Sequence, residues 1–407
     1  MSFPSSVTSA LDLAILVHDL SATGVAGNAI RIAAGMAARG LSVELWVVRD
    51  GGAFRSRVPQ NVAVRIIGSG TRLHIRRLEV LYAIPAIARE ITTRQPRVIL
   101  SAGNHFHWAA GPAYAKAGRP SGTRLMGRAS NAPPVGHWPV FGHLARRWDA
   151  MKYKEMQTVI AVSHELAAML TDELRLTPTK IVTIPNGVNI ADLERQGTLP
   201  LDDPWYADGA PPVILGVGRL SRQKNFPLLI EAFALLRRER AARLLILGDG
   251  PVRTRESLLR LAAKLGVAAD VRLAGFEPHP MRHFARAGMF VLSSLWEGAS
   301  NVVLEAMACG CPVVAVDCPT GVKEQLGNGS VGPIVPQNDA PALARAMAER
   351  LAAPRNSEAL RSQARQFDAD KMLDAYALLI GAQVGPGDGR ISESGEFGPS
   401  RASAGDV

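Results

Sequence analysis

Apolar residues occur in short blocks along the chain, and stretches of helical composition separate them. "LDLAILVHDL" (11–20) and "SVELWVV" (42–48) are compact apolar runs bounded by turn residues, a pattern typical of buried strands. Between them, the loop "SATGVAG" leads into "NAIRIAAGMAARG" (28–40), which is helical in composition, with Asn28 as a candidate cap and Gly40 as a stop. Strands that alternate with helices predict an α/β fold with a parallel, doubly wound sheet.

The alternation continues and then starts again in the second half of the chain. The further predicted strands lie at 62–68, 97–103, 123–130, 159–163, 180–188, 213–220, 243–251, 270–276, 289–294 and 312–316. Predicted helices include 74–91, broken at Pro85, and 340–353. Two similar αβ halves predict a cleft between them, with ligands at the carboxyl ends of the strands.

The composition of the linker sets the predicted domain boundaries. A stretch rich in Pro, Asp and Gly runs from Gly197, and it separates the two series of strands. We predict two Rossmann-like domains, at 1–196 and 212–365, joined by a linker at 197–211. A C-terminal helix at 366–384 could pack back on the N-terminal domain. The polar tail at 385–407 is predicted to be disordered.

Composition places the chain among ordinary globular proteins. It has 407 residues and three cysteines, Cys309, Cys311 and Cys318, which lie close together without a second ligand pair and therefore predict reduced, structural thiols. We find no basic start typical of a secretory signal, and no apolar run reaches the roughly 18 residues of a membrane span. A cytoplasmic protein that is not integral to a membrane is the expectation.

The net charge of +10 is unevenly distributed, because the whole excess of basic residues lies in the first half of the chain. Residues 1–200 hold 23 Lys and Arg against 13 Asp and Glu, whereas the remainder holds 23 of each. A one-sided basic surface suggests an acidic partner, which could be anionic lipid, phosphate or nucleic acid.

Two glutamates stand out in "LWEGASNVVLEAMACGCPVV" (295–314). Glu297 follows a predicted strand, and Glu305 lies about one turn inside a helix predicted from about Asn301. Small residues between them would let a ligand approach the backbone N–H groups at the helix start, where a phosphate is favoured. Both carboxylates could then accept hydrogen bonds from sugar hydroxyls. A helix cap and an ordinary buried ion pair are the alternative.

A second candidate is the loop in "GVGRLSRQKNF" (216–226). Arg219 and Lys224 follow a strand end there, and a guanidinium together with an ammonium can hold one anionic group. A solvated basic loop is the alternative. The glycine-bearing stretch "TGVAG" (23–27) could admit a diphosphate, although it lacks the full dinucleotide fingerprint.

Several of these segments together resemble glycosyltransferase family four. The resemblance rests on "VGRLSRQKNFPLLIEAFALL", "LLILGDGP", "VRLAGF", "LSSLWEGASNVVLEAMACGCPVVAVD" and "IPNGVN", spans about 12–382 and is densest over 180–330. It implies the GT-B fold, in which two Rossmann-like domains face a cleft, and a retaining, group-1-type transferase that uses a nucleotide-diphosphate sugar. The N-terminal domain would then bind the acceptor and the C-terminal domain the donor.

The resemblance also implies roles for individual residues. Arg219 and Lys224 would bind the donor diphosphate, Glu297 would contact the donor sugar, and Glu305 would hold the ribose. The remaining donor-site residues would be Gly24 near the diphosphate, Gly275 and Phe276 by the base, and Gly298, Ala299, Ser300, Asn301 and Val302 around the sugar and phosphates. Glu297, Arg219 and Lys224 form the predicted catalytic set.

No cofactor and no metal are expected. Arg, Lys and a helix N-terminus can neutralise the diphosphate in place of a metal ion. "DAD" (368–370) resembles a metal-binding motif but stands at a predicted helix start, so we interpret it as a cap. UDP is favoured over GDP on family frequency, with a hexose or N-acetylhexosamine as the transferred group.

The first half departs from the family pattern at the acceptor side. Where many members carry a histidine after the fifth strand, this chain has Arg128, and His105 and His107 lie near it in "GNHFHW". These three residues are the acceptor-side candidates. For both histidines, a packing or hydrogen-bonding role is the alternative.

Two basic segments with interleaved aromatic residues suggest a membrane surface. "TRLHIRR" (71–77) precedes an amphipathic stretch, and "HWPVFGHLARRWDAMKYK" (137–154) places Trp138, Phe141 and Trp148 among basic residues. The hypothesis is peripheral docking on the inner face of the membrane, onto a glycan or a polyprenyl- or lipid-linked acceptor in cell-surface polysaccharide or glycolipid synthesis. A solvated basic face is the alternative. No recognised nucleic-acid module is visible, so no nucleic-acid partner is expected.

Two other functions remain open at this point. One is a scaffold that binds nucleotide sugars but has lost catalysis. The intact set of Arg219, Lys224, Glu297 and Glu305 argues against it, whereas "TGVAG", which departs from the G-G-x-E-R-like loop of many family members, argues mildly for it. The other is a GT-B-like sugar-nucleotide epimerase, for which the sequence offers no assignable acid and base.

Overall fold

The computed structural model describes residues 11–68, 76–133 and 142–381, and its first half is built on a seven-stranded sheet. The strands are β1 (Leu13–Val17), β2 (Val43–Val47), β3 (Ala63–Ile66), β4 (Val98–Ser101), β5 (Arg124–Ala129), β6 (Thr158–Ala161) and β7 (Ile181–Thr183). They pair in parallel in the order β3-β2-β1-β4-β5-β6-β7. The helices are α1 (Gly24–Ala38), α2 (Arg76–Tyr82), α3 (Ile84–Arg94), α4 (His107–Lys116), α5 (Gly142–Met151) and α6 (His164–Asp172).

The second half repeats this architecture with a six-stranded parallel sheet in the order β10-β9-β8-β11-β12-β13. Its strands are β8 (Val213–Val217), β9 (Arg243–Leu247), β10 (Val271–Gly275), β11 (Met289–Leu292), β12 (Val313–Val316) and β13 (Ile334–Val335). The remaining helices are α7 (Ile190–Gly197), α8 (Phe226–Arg237), α9 (Val252–Lys264), α10 (Met281–Arg286), α11 (Asn301–Ala308), α12 (Val322–Gln325), α13 (Ala340–Ala352), α14 (Ser357–Arg365) and α15 (Ala369–Ile380). The predicted fold class, two parallel αβ halves, is confirmed; the elements that were not predicted are β13 and the helices α4, α5, α6, α7, α12 and α14.

The prediction for the start of α1 was wrong. Asn28 does not cap the helix, because α1 begins four residues earlier and Thr23 Oγ1 accepts the hydrogen bond from the N–H of Ala26. Asn28 instead lies inside the helix, buried, and its amide oxygen accepts from Arg31. The "TGVAG" stretch is therefore the cap and first turn of α1, in which Thr23 satisfies one of the first-turn N–H groups despite the poor helix propensity of the two glycines.

Core packing ties the C-terminal helix to the first sheet. Met372, Leu373 and Tyr376 of α15 lie in the apolar cluster that also contains the inner face of α1. A Cβ at Gly35 would lie 2.4 Å from a methyl carbon of Leu373, so only glycine permits this approach of α1 to α15.

Helix α7 packs with the second sheet, because Ile190 and Leu193 belong to the second core cluster. The chain thus crosses between the halves before residue 190. The boundaries at 196 and 212 stay a prediction, and the tail at 385–407 lies outside the described residues. Across 11–68, 76–133 and 142–381, we find no helix with the length and apolar character that a membrane crossing needs.

Candidate active site

The candidate site forms where the carboxyl ends of the two sheets face each other. In each sheet the strand order reverses beside the first strand of that half, at β1–β4 and at β8–β11. Such switch points leave a crevice at the carboxyl ends of the strands. The loops that follow β8 and β11 carry Arg219, Lys224 and Glu297, so they bring the predicted catalytic set to one edge of the sheet.

Lys224 and Glu297 form a largely buried ion pair at this edge. Lys224 Nζ lies 2.7 Å from Glu297 Oε1, and 15% and 10% of the two side chains are exposed. Ser294 Oγ donates to the same carboxylate oxygen at 2.8 Å. Gly218 has a φ of +146°, and a Cβ there would lie 2.6 Å from Lys224 Cε, so the lysine stem lies directly across this glycine.

Hydrogen bonds between the two loops fix the pair in position. Gln223 Nε2 donates to the carbonyl of Trp296 at 2.8 Å, and Ser293 Oγ donates to the carbonyl of Lys224 at 2.8 Å. Thr320 Oγ1 donates to the carbonyl of Glu297. The charged pair is therefore preorganised by its backbone, which favours electrostatic stabilisation of a ligand.

Arg219 adds a second cation to the loop that carries Lys224. It lies in the loop after β8, its side chain is exposed, and its guanidinium contacts no partner among the residues that the structure describes. An available guanidinium and a held ammonium suit a diphosphate better than a single positive charge.

The N-terminus of α11 completes the donor-side edge. The N–H groups of Asn301 and Val302, in its first turn, have no acceptor within the described part of the chain. The N–H of Ser300 is occupied instead, because it donates to Gln325 Oε1 at 3.1 Å while Gln325 Nε2 donates back to the carbonyl of Ser300. The helix dipole thus presents two open donors to an anion.

A second helix N-terminus faces this one from the other half. A Cβ on Gly24, the first residue of α1, would lie 3.8 Å from Asn301 Nδ2. At Gly298, followed in the same loop by Ala299, a Cβ would lie 2.1 Å from the carbonyl oxygen of Ser130, after β5. The halves are therefore in contact here, and at Gly298 their approach leaves no room for a side chain.

Glu305 lies one turn into α11 and is half-buried. Its carboxylate has no hydrogen-bond donor among the described residues. Burial raises the pKa of Glu305, and the nearby charges of Arg31, Lys224 and Arg57 oppose this. A desolvated carboxylate without a donor suits a ligand that brings hydroxyl groups.

Arg31 and Arg57 are site residues that were not predicted from the sequence. Arg31 projects from α1, and burial lowers its pKa while Glu305, in the other half, acts in the opposite direction. Arg57 lies in a short 3₁₀ turn, with its guanidinium over the ring of Phe54 at 4.1 Å. An arginine within the otherwise apolar "NAIRIAAGMAA" is a signal that could have indicated Arg31.

Arg128, an acceptor-side candidate, lies in the interior with 2% of its surface exposed. It donates to Asn186 Oδ1, and Asn186 Nδ2 donates in turn to Asn301 Oδ1 at 2.7 Å and to the carbonyl of Ala299 at 3.1 Å. The structure thus places Arg128 where it positions the start of α11 across the two halves. Asn186 lies in the "IPNGVN" segment, which drew attention only through its resemblance.

The two candidate histidines occupy different environments. His107 is fully buried, its Nδ1 lies 2.7 Å from Ser101 Oγ, and burial lowers its pKa well below the ordinary value. Its ring packs against Tyr153, so the structure places it in the core, which was the alternative reading. His105 is half-buried in the loop between β4 and α4, nearer the carboxyl edge of the sheet.

His18, a histidine that was not predicted as a site residue, follows β1. His18 is buried, with Nδ1 2.7 Å from Asp19 Oδ2 and Nε2 2.8 Å from Glu79 Oε2, and Glu79 also accepts from Arg49. This network lies at the carboxyl end of β1, ahead of Gly24. A His-Asp pair closing an apolar strand is a signal that could have indicated it.

Gly275 ends the edge strand β10, and Phe276 follows it. Gly275 has a φ of +82°, and its carbonyl accepts from the N–H of Gly248 at 2.7 Å. Phe276 is 52% exposed, which is unusual for phenylalanine and leaves one ring available for stacking.

Two reciprocal hydrogen bonds join the halves away from the cleft centre. Glu165, in the first turn of α6, accepts from the N–H of Gly321 at 2.8 Å. Glu324 of α12 accepts from the N–H of Glu165 at 2.8 Å. Each carboxylate thus caps a helix start of the opposite half, which is a favourable charge arrangement.

Metal-ligand geometry is not found in the described ranges, where no group of three or more His, Cys, Asp or Glu side chains is suited to a metal ion. In "DAD", Asp368 caps α15 by accepting from the N–H of Asp370 at 2.8 Å, as predicted. The three cysteines are buried free thiols.

Two family models match the chain. The model of glycosyl transferases group 1 matches residues 202–367, and the model of Glycosyltransferase Family 4 matches residues 22–192. Together they span most of both halves.

Two curated relatives are similar over part of their length. The N-acetylgalactosamine-N,N'-diacetylbacillosaminyl-diphospho-undecaprenol 4-alpha-N-acetylgalactosaminyltransferase of Campylobacter jejuni is 32% identical over 52% of this chain and 57% of its own length. The lipopolysaccharide core biosynthesis glycosyltransferase LpsE of Rhizobium meliloti is 35% identical over 42% of this chain and 50% of its own. The chain therefore aligns with about half the length of these relatives.

Solved structures share the whole fold. HepE of Anabaena in complex with UDP and glucose superposes with a TM-score of 0.73 at 18% identity, covering 91% of this chain and 99% of that one. WaaG, a glycosyltransferase involved in lipopolysaccharide biosynthesis, has a TM-score of 0.68 at 17% identity and covers 90% and 99%. These similarities show that the chain has the GT-B fold.

Proposed function

Since this chain belongs to glycosyltransferase family 4, group 1 type, we propose that it transfers a hexose or N-acetylhexosamine from a nucleotide-diphosphate sugar to a glycan or lipid-linked acceptor. The proposed process is cell-surface polysaccharide or glycolipid synthesis. The names of the relatives support this acceptor class, because one is named for a diphospho-undecaprenol glycan and another for the lipopolysaccharide core.

The arrangement of Arg219, Lys224 and Glu297 beside the start of α11 carries this proposal. Two cations lie in the loop after β8 and two open N–H groups at the start of α11, and the Lys224–Glu297 pair that joins these segments is held by neighbouring loops. Such preorganised positive charge stabilises a departing nucleoside diphosphate.

The proposed chemistry is retaining and metal-independent. Lys224, Arg219 and the α11 N-terminus would neutralise charge that develops on the leaving diphosphate, and Glu297 would orient the donor sugar. The acceptor hydroxyl would attack from the same face and pass its proton to the leaving phosphate. Turnover is expected to survive EDTA.

A thermal-shift screen tests the donor class. We expect UDP or a UDP-sugar to raise the melting temperature more than GDP or ADP conjugates, because a ligand at about 100 times its Kd adds roughly 2.7 kcal/mol to the stability of the native state. The HepE complexes with UDP motivate this order. A larger shift with GDP would assign the donor to the other nucleotide.

Transfer and hydrolysis assays separate the rival functions. A scaffold without catalysis would bind the nucleotide but neither transfer nor hydrolyse the sugar. An epimerase would convert one nucleotide sugar into another without an acceptor. Product analysis with the donor that the screen identifies distinguishes all three.

Glu305 provides a test in which stability and binding move in opposite directions. The pKa of Glu305 is raised by burial, so its ionisation destabilises the native state as pH rises above the ordinary value of 4.5. Glu305→Gln is therefore expected to raise the melting temperature at pH 7, with the gain vanishing as pH falls below that value. Nucleotide affinity should fall about tenfold or more, because the carboxylate that accepts ribose hydroxyls is lost.

The measurements are thermal unfolding against pH and nucleotide titration calorimetry of the variant and the native protein. Unchanged nucleotide affinity would remove Glu305 from the donor site. A lower melting temperature at pH 7 would show that its charge is compensated by Arg31 and Arg57.

The proposed location is the cytoplasm, peripheral on the inner face of the membrane. The basic excess of the first half supports an anionic surface as partner. Of the segments that predict it, 71–75 and 134–141, with Trp138 and Phe141, lie outside the described residues.

A further inference from the structure

Thr320 has a backbone conformation that is unusual for its residue type. Its φ is +73°, in the left-handed region, where the branched Cβ of a threonine crowds the backbone. Seven non-glycine residues in the described ranges have a positive φ, and Thr320 is the one among them that is both β-branched and buried. Such strain persists only where the surrounding structure holds it, and it is concentrated at functional sites.

The strained residue lies against the loop that carries Glu297. Thr320 Oγ1 donates to the carbonyl of Glu297, so the hydroxyl supports the backbone of a predicted catalytic residue. Gly321 follows with a φ of +70°, and a Cβ there would lie 2.6 Å from the carbonyl oxygen of Gly298. Thr320 and Gly321, called the Thr320 turn below, therefore pack against two successive residues of this loop.

The opposite half of the protein supplies the hydrogen bond that completes the Thr320 turn. Glu165 Oε2, in the first turn of α6, accepts from the N–H of Gly321 at 2.8 Å. A charged acceptor makes this bond stronger than one between neutral groups. Among the described residues, no group of the second half accepts from this N–H. The turn is thus fully hydrogen-bonded only while α6 lies against it.

We propose that Glu165 is a positioning residue, which orients Glu297 from the opposite half. By accepting from Gly321, its carboxylate holds the Thr320 turn in the strained conformation, and the turn holds the backbone of Glu297. The donor-side carboxylate is then fully oriented only while the two halves are in contact. This inference rests on the proposed function, in which Glu297 orients the donor sugar, and deepens it by giving a residue of the acceptor half a part in that orientation.

Glu324 offers a matched control, because it makes the same type of contact. Its Oε1 accepts from the N–H of Glu165 at 2.8 Å across the same interface, and its Oε2 lies 3.2 Å from His164 Nδ1. Glu324 therefore joins the halves without accepting from the Thr320 turn. If only the strength of the interface mattered, losing either carboxylate would have the same effect.

Glu165→Gln and Glu165→Met separate the hydrogen bond from the charge. Both variants remove the charge and keep the size, but only glutamine has an oxygen that can accept from Gly321. Glu165→Met is expected to lower kcat about 10–100-fold with the donor KM within about threefold of native, because a displacement of about 1 Å can cost about 10²-fold in rate. Glu165→Gln should recover most of this loss, and Glu324→Met should keep kcat within about threefold of native.

The rate is measured as UDP release from UDP-glucose or UDP-N-acetylglucosamine, whichever the thermal-shift screen shows to bind. This assay needs no identified acceptor. It also reports on Glu297, since that carboxylate is proposed to contact the donor sugar.

Variants of Thr320 test the next step of the same path. Thr320→Val keeps the branched shape but removes the hydroxyl that donates to Glu297, so kcat should fall by a similar factor, and Thr320→Ser should recover most of the loss. Because Glu165 is proposed to act through this hydroxyl, the double variant Glu165→Met with Thr320→Val should lose no more than about threefold beyond the larger single loss. Losses that multiply would mean that the two residues act independently, which would overturn the proposal.

Amide hydrogen exchange follows the same coupling without any turnover. The amides of 295–304, which include the Glu297 loop, should exchange about tenfold faster in Glu165→Met but not in Glu165→Gln or Glu324→Met. Because exchange needs no donor, a chain that shows this pattern but releases no UDP would fail the proposed function and keep the coupling. A chain that releases UDP at the native rate in Glu165→Met fails only this inference.

The remaining outcomes also decide between the readings. Equal losses in Glu165→Met and Glu324→Met would show that both carboxylates only hold the halves together, and equal losses in Glu165→Met and Glu165→Gln would assign the effect to the charge. Either result would overturn the proposal. Thermal unfolding checks that each variant is folded, and Glu165→Ala takes the place of Glu165→Met if the methionine variant does not fold.

Discussion

Replacing Lys224 by methionine is expected to lower kcat/KM for sugar transfer by about 10²–10³-fold, the usual loss when one preorganised group that stabilises developing negative charge is removed. Lys224 Nζ lies 2.7 Å from Glu297, and both side chains are largely withdrawn from water. Its charge is therefore poorly replaced by solvent. Steady-state kinetics with the donor identified by thermal shift gives the value.

The same substitution is expected to destabilise the fold, so stability and catalysis must be separated. Lys224→Met leaves Glu297 as an unpaired, largely buried carboxylate, which typically costs about 3–5 kcal/mol. Adding Glu297→Gln removes that charge, and the double variant should regain most of the lost stability. It should not regain turnover, because both groups proposed to act on the donor are then absent.

Arg222→Ala is the matched control, since Arg222 is exposed in the same 3₁₀ turn and its loss removes the same charge. Thermal unfolding and kinetics of the three variants complete the set. Native turnover in a folded Lys224→Met protein would contradict the proposed role. An equal loss in Arg222→Ala would show that the net charge of the loop matters more than the ion pair.

All the described strands except the two-residue β13 could be predicted in order, because parallel strands covered on both faces are nearly continuous apolar runs. The start of α11 at Asn301 was also predictable, from small residues between a strand and an apolar helix. The start of α1 was not, because Thr23 and the glycines suggest a loop unless the cap bond to Ala26 is known. Local residue preferences decide between a loop and a capped helix only when the tertiary context is given.

Some features of the candidate site could likewise be predicted from the sequence, and others could not. Lys224 and Glu297 could each be selected as charged residues at strand ends, but they are 73 positions apart, and their contact depends on the conformation of Gly218. Two further features join the halves and therefore depend on how the two sheets face each other. One is the chain of hydrogen bonds from Arg128 through Asn186 to Asn301, and the other is the electrostatic interaction of Arg31 with Glu305. The residue pattern along one strand or helix carries no information on how the two sheets are placed relative to each other. His107 shows the converse, since a histidine in an apolar helix is as compatible with the core as with a site.

The second large effect on transfer is expected from adding a single methyl group where the two halves are in close contact. Gly298 follows Glu297, and a Cβ there would lie 2.1 Å from the carbonyl oxygen of Ser130 and 2.9 Å from the N–H of Asn131. Its backbone conformation is accessible to alanine, so the conflict is with the opposite half rather than within the loop. Gly298→Ala must therefore hold the halves apart by about an ångström or more.

We expect Gly298→Ala to lower the rate of transfer about 10²-fold, since a displacement of that size between reacting groups is enough to cause such a loss. The free energy of unfolding should fall by about 1–2 kcal/mol, because opening the interface stretches the hydrogen bonds from Asn186 to Ala299 and Asn301. Small-angle scattering should show a larger radius of gyration. Gly122→Ala is the matched control, because a Cβ there meets no atom within 4 Å. Full activity with unchanged scattering in Gly298→Ala would contradict this prediction. It would mean that the contact with Ser130 is not kept during turnover and that transfer takes place with the two halves further apart.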